Sequence, residues 1–332
     1  MQYKRITNFL IPLALVFGVF LSAQSVVAYQ SSLPTKTPTP TSEPTTSATI
    51  SPTPLARAVG ESFLQADLSI LSGNVQRPNG MFWHNNMVYT SCNGDWTIYE
   101  INGETGATTT YIYGIRNAHQ LHAETVENEL QLWIPDFQTN ELVLISQRAI
   151  QKIAGDLQGP WGIIAYHDDF LVTNLLANNL VKITRGGEVE IMVNNLRSPT
   201  GVAVDGDVVY VANNGSARRA IEWFELAEQD QPIDASSDSN YSLVSGLQNV
   251  TGVVLGSDEK LYFSYALGTR GVVGRIDPNV CRDKGGCTHD EVEIVVYTDL
   301  ASPIAGLTLS PDLRLYLHTI FSPDIYYIDL PS

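Results

Sequence analysis

The chain has 332 residues, of which 35 are acidic and 19 are Lys or Arg, so its net charge at neutral pH is −16. This acidity excludes nucleic acid as a partner, because contact with phosphates requires a basic surface. It is compatible with cations at the surface without indicating where one would bind.

The N-terminus has the layout of a secretory signal peptide. Lys4 and Arg5 precede an apolar run over residues 9–21, and Val26-Val27-Ala28 supplies small residues for cleavage. The apolar run is short for a membrane span, which needs roughly 20 residues. We therefore expect residues 1–28 to be removed on export, which leaves no transmembrane segment. If they are not cleaved, they would tether the protein to the membrane.

The next segment, residues 29–58, is predicted to be a linker. It is almost entirely Thr, Pro and Ser from Leu33 to Pro54, a composition that behaves as an extended spacer. Residues 59–332 form one domain. The order of export signal, spacer and domain predicts a secreted or extracytoplasmic protein.

Within this domain, glycine recurs at a near-fixed interval and opens a short apolar strand each time. The aligned positions are 80, 120, 162, 201, 252 and 306, with Gln120 replacing glycine in the second copy. A period of about 40 to 45 residues is typical of a four-stranded propeller blade. The apolar runs are bounded by turn residues and lack a sustained helical period. The sequence predicts an all-β fold, a six-bladed β-propeller with four antiparallel strands per blade.

The last repeat ends after its third strand, at Leu330. The segment from Phe63 to Leu71, just before the first repeat, is the predicted donor of the missing fourth strand. Such an N-terminal strand would close the ring and remove its free sheet edges.

In the oxidising compartment that export implies, two of the three cysteines are expected to pair. Cys281 and Cys287 enclose a five-residue loop and are predicted to pair as a disulfide, which leaves Cys92 as a lone thiol. The alternative, a metal site that uses His289, lacks the usual Cys-x2-4-Cys spacing.

Candidate site residues follow from the propeller geometry, because inner strands line the channel and their first residues surround one mouth. The residues before the repeated glycines are Asn79, His119, Trp161, Thr200, Thr251 and Ile304 or Ala305. Residues that end the second strands come next, among them Asp136 and Asn213. The candidate ligand-binding residues are Asn79, Trp161, Thr200, Thr251 and Asn213.

The pattern Pro-x-Gly-apolar, as in Pro78-Asn79-Gly80 and Pro199-Thr200-Gly201, is followed by a turn and a strand such as residues 208–214. This pattern resembles NHL-type repeats and the six-bladed superfamily of SMP-30/gluconolactonases and streptogramin B lyases. The resemblance covers residues 63–330 and implies a fold more than an activity.

The lactonase resemblance implies a divalent cation held by Glu, Asn and Asp before the glycines. Only Asn79 matches a ligand type at these places, with Asp136 as a substitute from a second-strand end. Thr200 and Thr251 stand where Asn or Asp would be expected. Ca²⁺ needs several oxygen ligands, usually including carboxylates, so no cofactor is expected and Ca²⁺ is the alternative.

The lyase resemblance implies a histidine that acts as a general base in the channel, for which His119 is the candidate. Trp161 would stack on a ligand or plug the channel. The first hypothesis for function is binding of a small molecule or an extracellular partner protein at the channel mouth. The alternative is a lactonase-type hydrolase or a lyase that uses Asn79, His119 and Asp136.

Overall fold

The computed structural model describes residues 61–227 and 231–331. The predicted signal peptide and linker, residues 1–28 and 29–58, lie outside the described residues. Across the part of the chain that is described, no helix is long and apolar enough to cross a membrane. Strands dominate, and they are arranged in six sheets that follow one another along the chain.

The first three blades follow two short N-terminal strands. These strands are β1 (Phe63–Leu64) and β2 (Ser69–Ser72). Blade 1 contains β3 (Pro78–His84), β4 (Met87–Cys92), β5 (Thr97–Asn102) and β6 (Thr108–Tyr113). Blade 2 contains β7 (His122–Val126), β8 (Glu129–Asp136), β9 (Glu141–Ser146) and β10 (Ala149–Ala154). Blade 3 contains β11 (Pro160–Tyr166), β12 (Asp169–Asn174), β13 (Asn179–Ile183) and β14 (Val189–Asn194).

The second half of the ring carries short insertions. The chain runs through β15 (Pro199–Asp205), β16 (Val208–Asn213), β17 (Ile221–Glu225), β18 (Ile233–Asp234) and β19 (Ser242–Ser245). It continues through β20 (Val253–Leu255), β21 (Leu261–Leu267), β22 (Arg270–Ile276), the helix α1 (Pro278–Asp283), β23 (Cys287–Thr288) and β24 (Glu293–Ala301). The last strands are β25 (Ile304–Leu309), β26 (Arg314–Thr319) and β27 (Ile325–Asp329). Blade 4 is β15-β16-β17-β19, blade 5 is β20-β21-β22-β24 and blade 6 is β25-β26-β27-β2.

The ring is closed by the N-terminal segment, as predicted. β2 pairs antiparallel with β27, with Ile70 opposite Tyr326. The donor is two strands rather than one, because a 3-10 turn at Gln65–Asp67 interrupts it. The Asp67 carboxylate accepts the Leu64 backbone N–H at 2.7 Å. β1 therefore joins blade 5 instead, parallel to β24, and the segment ties two blades together.

Three blades carry a fifth strand that the sequence did not predict. β18 pairs parallel with β14, β23 with β19, and β1 with β24. Each of these strands has two residues and covers the outer edge of its blade. Covered edges offer fewer unpaired backbone groups to other chains.

The repeated glycines occur where inner strands of neighbouring blades come closest. A β-carbon on Gly80 would lie 2.8 Å from the Cα of Gln120, and one on Gly201 would lie 2.7 Å from the backbone nitrogen of Val253. No side chain fits at such distances from a backbone, which explains the periodicity of the sequence. In blade 2 the side chain of Gln120 instead crosses to blade 3, where it accepts the Ile163 N–H at 3.2 Å.

Hydroxyl groups on second strands connect neighbouring blades at the same level. The Ser91 hydroxyl accepts the Gly80 N–H at 2.9 Å and donates to the carbonyl of Ala118 in blade 2 at 2.7 Å. Thr173 makes the same two bonds between blades 3 and 4, and Ser264 between blades 5 and 6. These hydrogen bonds offset the desolvation cost of burying the hydroxyl, N–H and carbonyl groups that form them.

The hydrophobic core is distributed over the six junctions between blades. Each junction has its own cluster of buried side chains, such as Tyr89, Leu121 and Leu132 between blades 1 and 2. Tyr166, Val209 and Phe224 belong to the cluster between blades 3 and 4. Each blade is therefore stabilised mainly by its two neighbours, so closure of the ring matters for all of them.

The structure joins Cys281 and Cys287 in a disulfide, with their Cα atoms 5.2 Å apart. The bond links α1 to β23, so it fixes the insertion between the third and fourth strands of blade 5. Cys92 is free and lies at the end of β4 with 1% exposure. Burial raises the pKa of its thiol well above the ordinary value, so Cys92 is protonated and unreactive in the folded protein.

Deletion of residues 63–72 is expected to abolish the cooperative unfolding transition or cause aggregation, because it exposes the edge of blade 6 and removes the contact with blade 5. Thermal unfolding followed by circular dichroism measures this. Deletion of residues 33–54 is the control and should leave melting unchanged. Equal melting of the two truncated proteins would show that the ring does not depend on this closure.

Gly201→Ala is expected to destabilise the fold by about 1–3 kcal/mol, because its β-carbon overlaps the backbone of blade 5. Gly186→Ala is the matched control, since a β-carbon there meets only the Thr184 hydroxyl at 3.7 Å. Urea unfolding of both variants gives the two free energies. A loss of stability in Gly186→Ala as large as that in Gly201→Ala would contradict the close-approach explanation.

Candidate ligand site at the channel mouth

Three of the predicted mouth residues come together in the structure. Asn79 and Trp161 are the second residues of β3 and β11, and His119 precedes β7. The His119 ring stacks on Trp161 with centroids 3.4 Å apart and planes 3° apart. The Asn79 side-chain amide lies 2.9 Å from Nδ1 of His119.

Phe137 completes this aromatic group and was missed by the sequence analysis. It lies edge-on to His119 at 5.3 Å and to Trp161 at 6.0 Å between ring centroids. Its backbone N–H donates to the carbonyl of Asn117 at 2.8 Å, which anchors the loop after β8. The available signal was its position directly after Asp136, a second-strand end. We call Asn79, His119, Phe137 and Trp161 the mouth cluster.

A network of asparagine side chains orients His119. Asn79 and Asn93 both donate to Oδ1 of Asn117, at 3.2 and 2.8 Å. The second N–H of the Asn79 amide then points to Nδ1 of His119. Nδ1 of His119 also lies 3.2 Å from Oδ1 of Asn79; with the nearer amide nitrogen as its donor, Nδ1 is the acceptor and the ring proton is assigned to Nε2.

His119 is neutral at physiological pH. Burial lowers the pKa of His119 to about 3, because the charged imidazolium loses its hydration. A general base works best when its pKa is near the working pH. The neutral ring is therefore suited to stacking and to hydrogen-bond donation through Nε2, and it is a weak base.

Thr200 and Thr251 are buried, and their hydroxyls bond between blades. The Thr200 hydroxyl donates to the carbonyl of Val250 at 2.9 Å, and that of Thr251 donates to the carbonyl of Ile304 at 2.7 Å. A narrow cavity below the mouth is lined by Thr251 together with His119 and Trp161. Both threonines hold the channel wall together, and only Thr251 borders this cavity.

Asn213 belongs to a separate buried polar group in blade 4. Its amide donates to Glu222 at 2.5 Å, and its carbonyl oxygen accepts the Arg197 N–H at 2.9 Å. Glu222 also contacts the guanidinium of Arg219. Burial raises the pKa of Glu222 to about 7, against the opposing effect of Arg219. The sequence did not single out Glu222, because it is one of two glutamates in the short strand Ile221–Glu225 and nothing local distinguishes the buried one from the exposed one.

Asp136 is buried at the end of β8 and organises the neighbouring loops. Its two oxygens accept the backbone N–H groups of Arg116 at 3.0 Å and Gln138 at 2.9 Å. These bonds join the segment that enters blade 2 to the loop that contains Phe137. Asp136 thereby supports the mouth cluster from below.

The residues of the mouth do not fit a hard cation. In the described ranges, no group of three or more His, Cys, Asp or Glu side chains is arranged to hold a metal ion. The mouth offers the amides of Asn79, Asn93 and Asn117 and the ring of His119, whereas Ca²⁺ prefers several oxygen ligands with carboxylates among them. The carboxylate of Asp136 is already occupied by backbone N–H groups.

Comparisons by sequence find no matching protein-family profile and no matching curated protein. The fold is similar to several solved propellers. A gluconolactonase from Xanthomonas campestris aligns with a TM-score of 0.60 at 14% identity, over 80% of this chain and 89% of the other. Regucalcin from Agrobacterium tumefaciens, a calcium-binding protein, aligns with a TM-score of 0.56 at 11% identity, over 80% and 94%. Virginiamycin B lyase from Staphylococcus aureus aligns with a TM-score of 0.53 at 15% identity, over 80% and 99%.

These similarities define the class of protein as a six-bladed β-propeller whose structural neighbours are SMP-30/gluconolactonase-like and lyase propellers. At such low identity they establish the fold alone. The arrangement of the mouth residues has to carry any statement about function.

The variant His119→Gln tests whether burial lowers the pKa of the His119 ring. The pKa of His119 falls from 6.5 in a solvated chain to about 3 in the folded protein. As pH falls below 6.5, the unfolded chain binds the proton and the folded protein does not, so the free energy of unfolding decreases. The stability advantage of the wild type over His119→Gln should shrink by up to about 1.4 kcal/mol per pH unit below that point. Urea unfolding at several pH values measures it. A difference that does not vary with pH would mean that the ring titrates normally.

Proposed function

We propose that this protein is an exported propeller that binds a small molecule or an extracellular partner protein at its channel mouth. The observation that carries the proposal is the mouth cluster itself. A flat, neutral His119–Trp161 stack with Phe137 against its edge is a surface for apolar and planar groups. Aromatic groups of this kind contribute large contact area at low conformational cost.

Polar groups at the mouth are available to a ligand. The side-chain oxygen of Asn93 is buried and has no hydrogen-bond partner, although the amide nitrogen of Asn93 is fixed on Asn117. Buried polar atoms are nearly always paired, and an unpaired one at a mouth is an unused acceptor. The Nε2 proton of His119 supplies a donor. A ligand with one donor and one acceptor beside an apolar group would complement this arrangement.

The alternative, a lactonase-type hydrolase or a lyase, requires groups that the mouth does not assemble. His119 is a weak base, and its hydrogen-bond partner is an amide rather than a carboxylate. Candidate oxygens for a metal are amides, and Asp136 is engaged by backbone groups. Binding therefore ranks first. Export is supported by the Cys281–Cys287 disulfide, since such bonds persist in oxidising compartments.

Thermal-shift screening of the purified domain against a set of planar heteroaromatic compounds tests the binding function. Compounds that stabilise the wild type should give at most a small shift with Trp161→Ala or His119→Ala, because binding to the folded state alone raises stability. Trp223→Ala is the control, since Trp223 lies in the third strand of blade 4 and outside the mouth cluster.

Two results would reverse this ranking. If Trp161→Ala and Trp223→Ala respond alike to every stabilising compound, the mouth is not the binding site. If millimolar Ca²⁺ stabilises the wild type by more than about 1 kcal/mol, and Asn79→Ala abolishes that effect, the metal-dependent hydrolase takes first place.

A further inference from the structure

The face of the ring that carries the mouth cluster has unpaired cations, although the chain as a whole is acidic. Arg77, Arg116 and Arg218 are exposed and lie in segments that enter or connect strands at this face. None of the three forms an ion pair with a carboxylate among the described residues. Exposed cations without partners are available to an anionic ligand.

Several basic residues at the opposite face are neutralised by carboxylates. Its hairpins and strand ends carry four ion pairs, with N–O distances from 2.5 to 2.8 Å: Arg185–Glu124, Lys260–Asp277, Arg275–Glu293 and Arg314–Asp329. Two further arginines without ion pairs, Arg148 and Arg282, lie over aromatic rings and donate to a backbone carbonyl or a side-chain amide. Arg148 and Arg282 keep their charge but donate guanidinium N–H groups within the fold, whereas the guanidinium groups of Arg77, Arg116 and Arg218 form no such bond among the described residues.

Carboxylates near these arginines are largely engaged within the fold. Asp95 accepts the Tyr99 hydroxyl at 2.5 Å, and Asp324 accepts those of Ser322 and Tyr326. Asp156, which precedes blade 3, interacts electrostatically with Lys152. Among the described residues, none of these three carboxylates forms an ion pair with Arg77, Arg116 or Arg218, so the three guanidinium groups are available to an external anion.

Apolar side chains lie beside the arginines. Phe321 is 66% exposed and lines a groove with Arg77 and Pro323, between the last loop of blade 6 and the segment that enters blade 1. Trp96 is 52% exposed, and the Arg116 guanidinium lies 5.7 Å from its ring centroid. We call Arg77, Trp96, Arg116 and Phe321 the rim.

The rim is continuous with the mouth cluster. The backbone of Arg77 accepts the Asn93 N–H at 3.1 Å, which joins the groove to the loop that carries Trp96. Asn117, next to Arg116, accepts the Phe137 N–H at 2.8 Å. Charged and apolar groups therefore alternate along a strip from blade 6 across blade 1 to blade 2. Such a strip suits an extended chain better than a compact molecule.

The backbone conformation of Trp96 points to a function for this side chain. Its φ is 59°, in the left-handed region, at a turn position occupied by Asn140 and Asn178 in blades 2 and 3. Asparagine tolerates this region, whereas a bulky residue there is strained. The fold alone would favour asparagine at position 96, so a tryptophan there costs stability.

We propose that the rim binds an acidic peptide segment of a partner protein. The carboxylates of the peptide pair with Arg77 and Arg116, and its apolar side chains pack against Trp96 and Phe321. This assignment rests on the binding function proposed above and identifies the partner. A peptide also spans the strip between the groove and the mouth, which a small anion does not.

Selection of random linear peptides displayed on phage, against the immobilised domain, tests this. Recovered peptides should be acidic with apolar residues. Their affinity should fall about tenfold or more in Arg77→Glu and in Arg116→Glu, and also when NaCl rises from about 0.05 M to about 0.5 M. Lys284→Glu makes a comparable charge reversal away from the mouth face and should leave affinity unchanged.

The variant Trp96→Asn distinguishes a binding role of Trp96 from a purely structural one. It should raise the melting temperature, because asparagine suits the left-handed turn, and weaken the selected peptides about tenfold. A destabilised variant that still binds the peptides would show that Trp96 has only a structural role and would overturn its place in the rim.

Neutral or basic peptides, no recovered peptide, or equal affinity in the arginine variants and Lys284→Glu would overturn the proposal. Full displacement of the peptides by millimolar citrate would also overturn the proposal, since the site would then bind small anions. Loss of peptide binding in Trp161→Ala with the rim intact supports the mouth function separately. The two proposals can therefore fail independently.

Discussion

The close approach of neighbouring inner strands is the constraint on which this structure depends. At Gly80 and Gly201 the backbones come so near that no β-carbon fits. Second-strand hydroxyls at the same level accept a glycine N–H and donate to the next blade. Together these contacts fix the spacing of the blades, and Asn79 and Trp161, which directly precede glycines, are held in place by the same contacts.

Hydrogen bonds within the channel wall hold the mouth residues in place. Asp136, buried at the end of β8, bonds backbone groups on two loops, and one of these loops carries Phe137. Thr200 and Thr251 use their hydroxyls between blades. Thr200, Thr251 and Asp136 thus use their side chains in hydrogen bonds within the fold, and the proposed contact surface consists of the aromatic rings and the asparagine network. A preformed surface of this kind lowers the conformational cost of binding.

The distribution of charge also distinguishes the mouth face from the opposite face. A protein of net charge −16 would be expected to repel acidic partners over most of its surface. Ion pairs neutralise four of the cations at the opposite face, while Arg77 and Arg116 remain without a carboxylate partner beside exposed aromatic rings. Under the proposal that the rim binds an acidic peptide, this contrast would favour acidic partners at the mouth face. It would orient an acidic chain towards the rim.

The sequence by itself determined the all-β class, the number of blades and the closure of the ring. The glycines recur wherever two inner strands come close, and the last repeat lacks its fourth strand, so both features can be read from the sequence of each repeat. It also brought Asn79, His119 and Trp161 forward as mouth residues. Tertiary structure decided three other features: the interruption of the closing segment at Gln65–Asp67, the two-residue fifth strands and the place of Phe137. Each depends on contacts between segments that are distant in sequence. The same holds for the low pKa of His119, which follows from burial among blades that only the folded ring brings together.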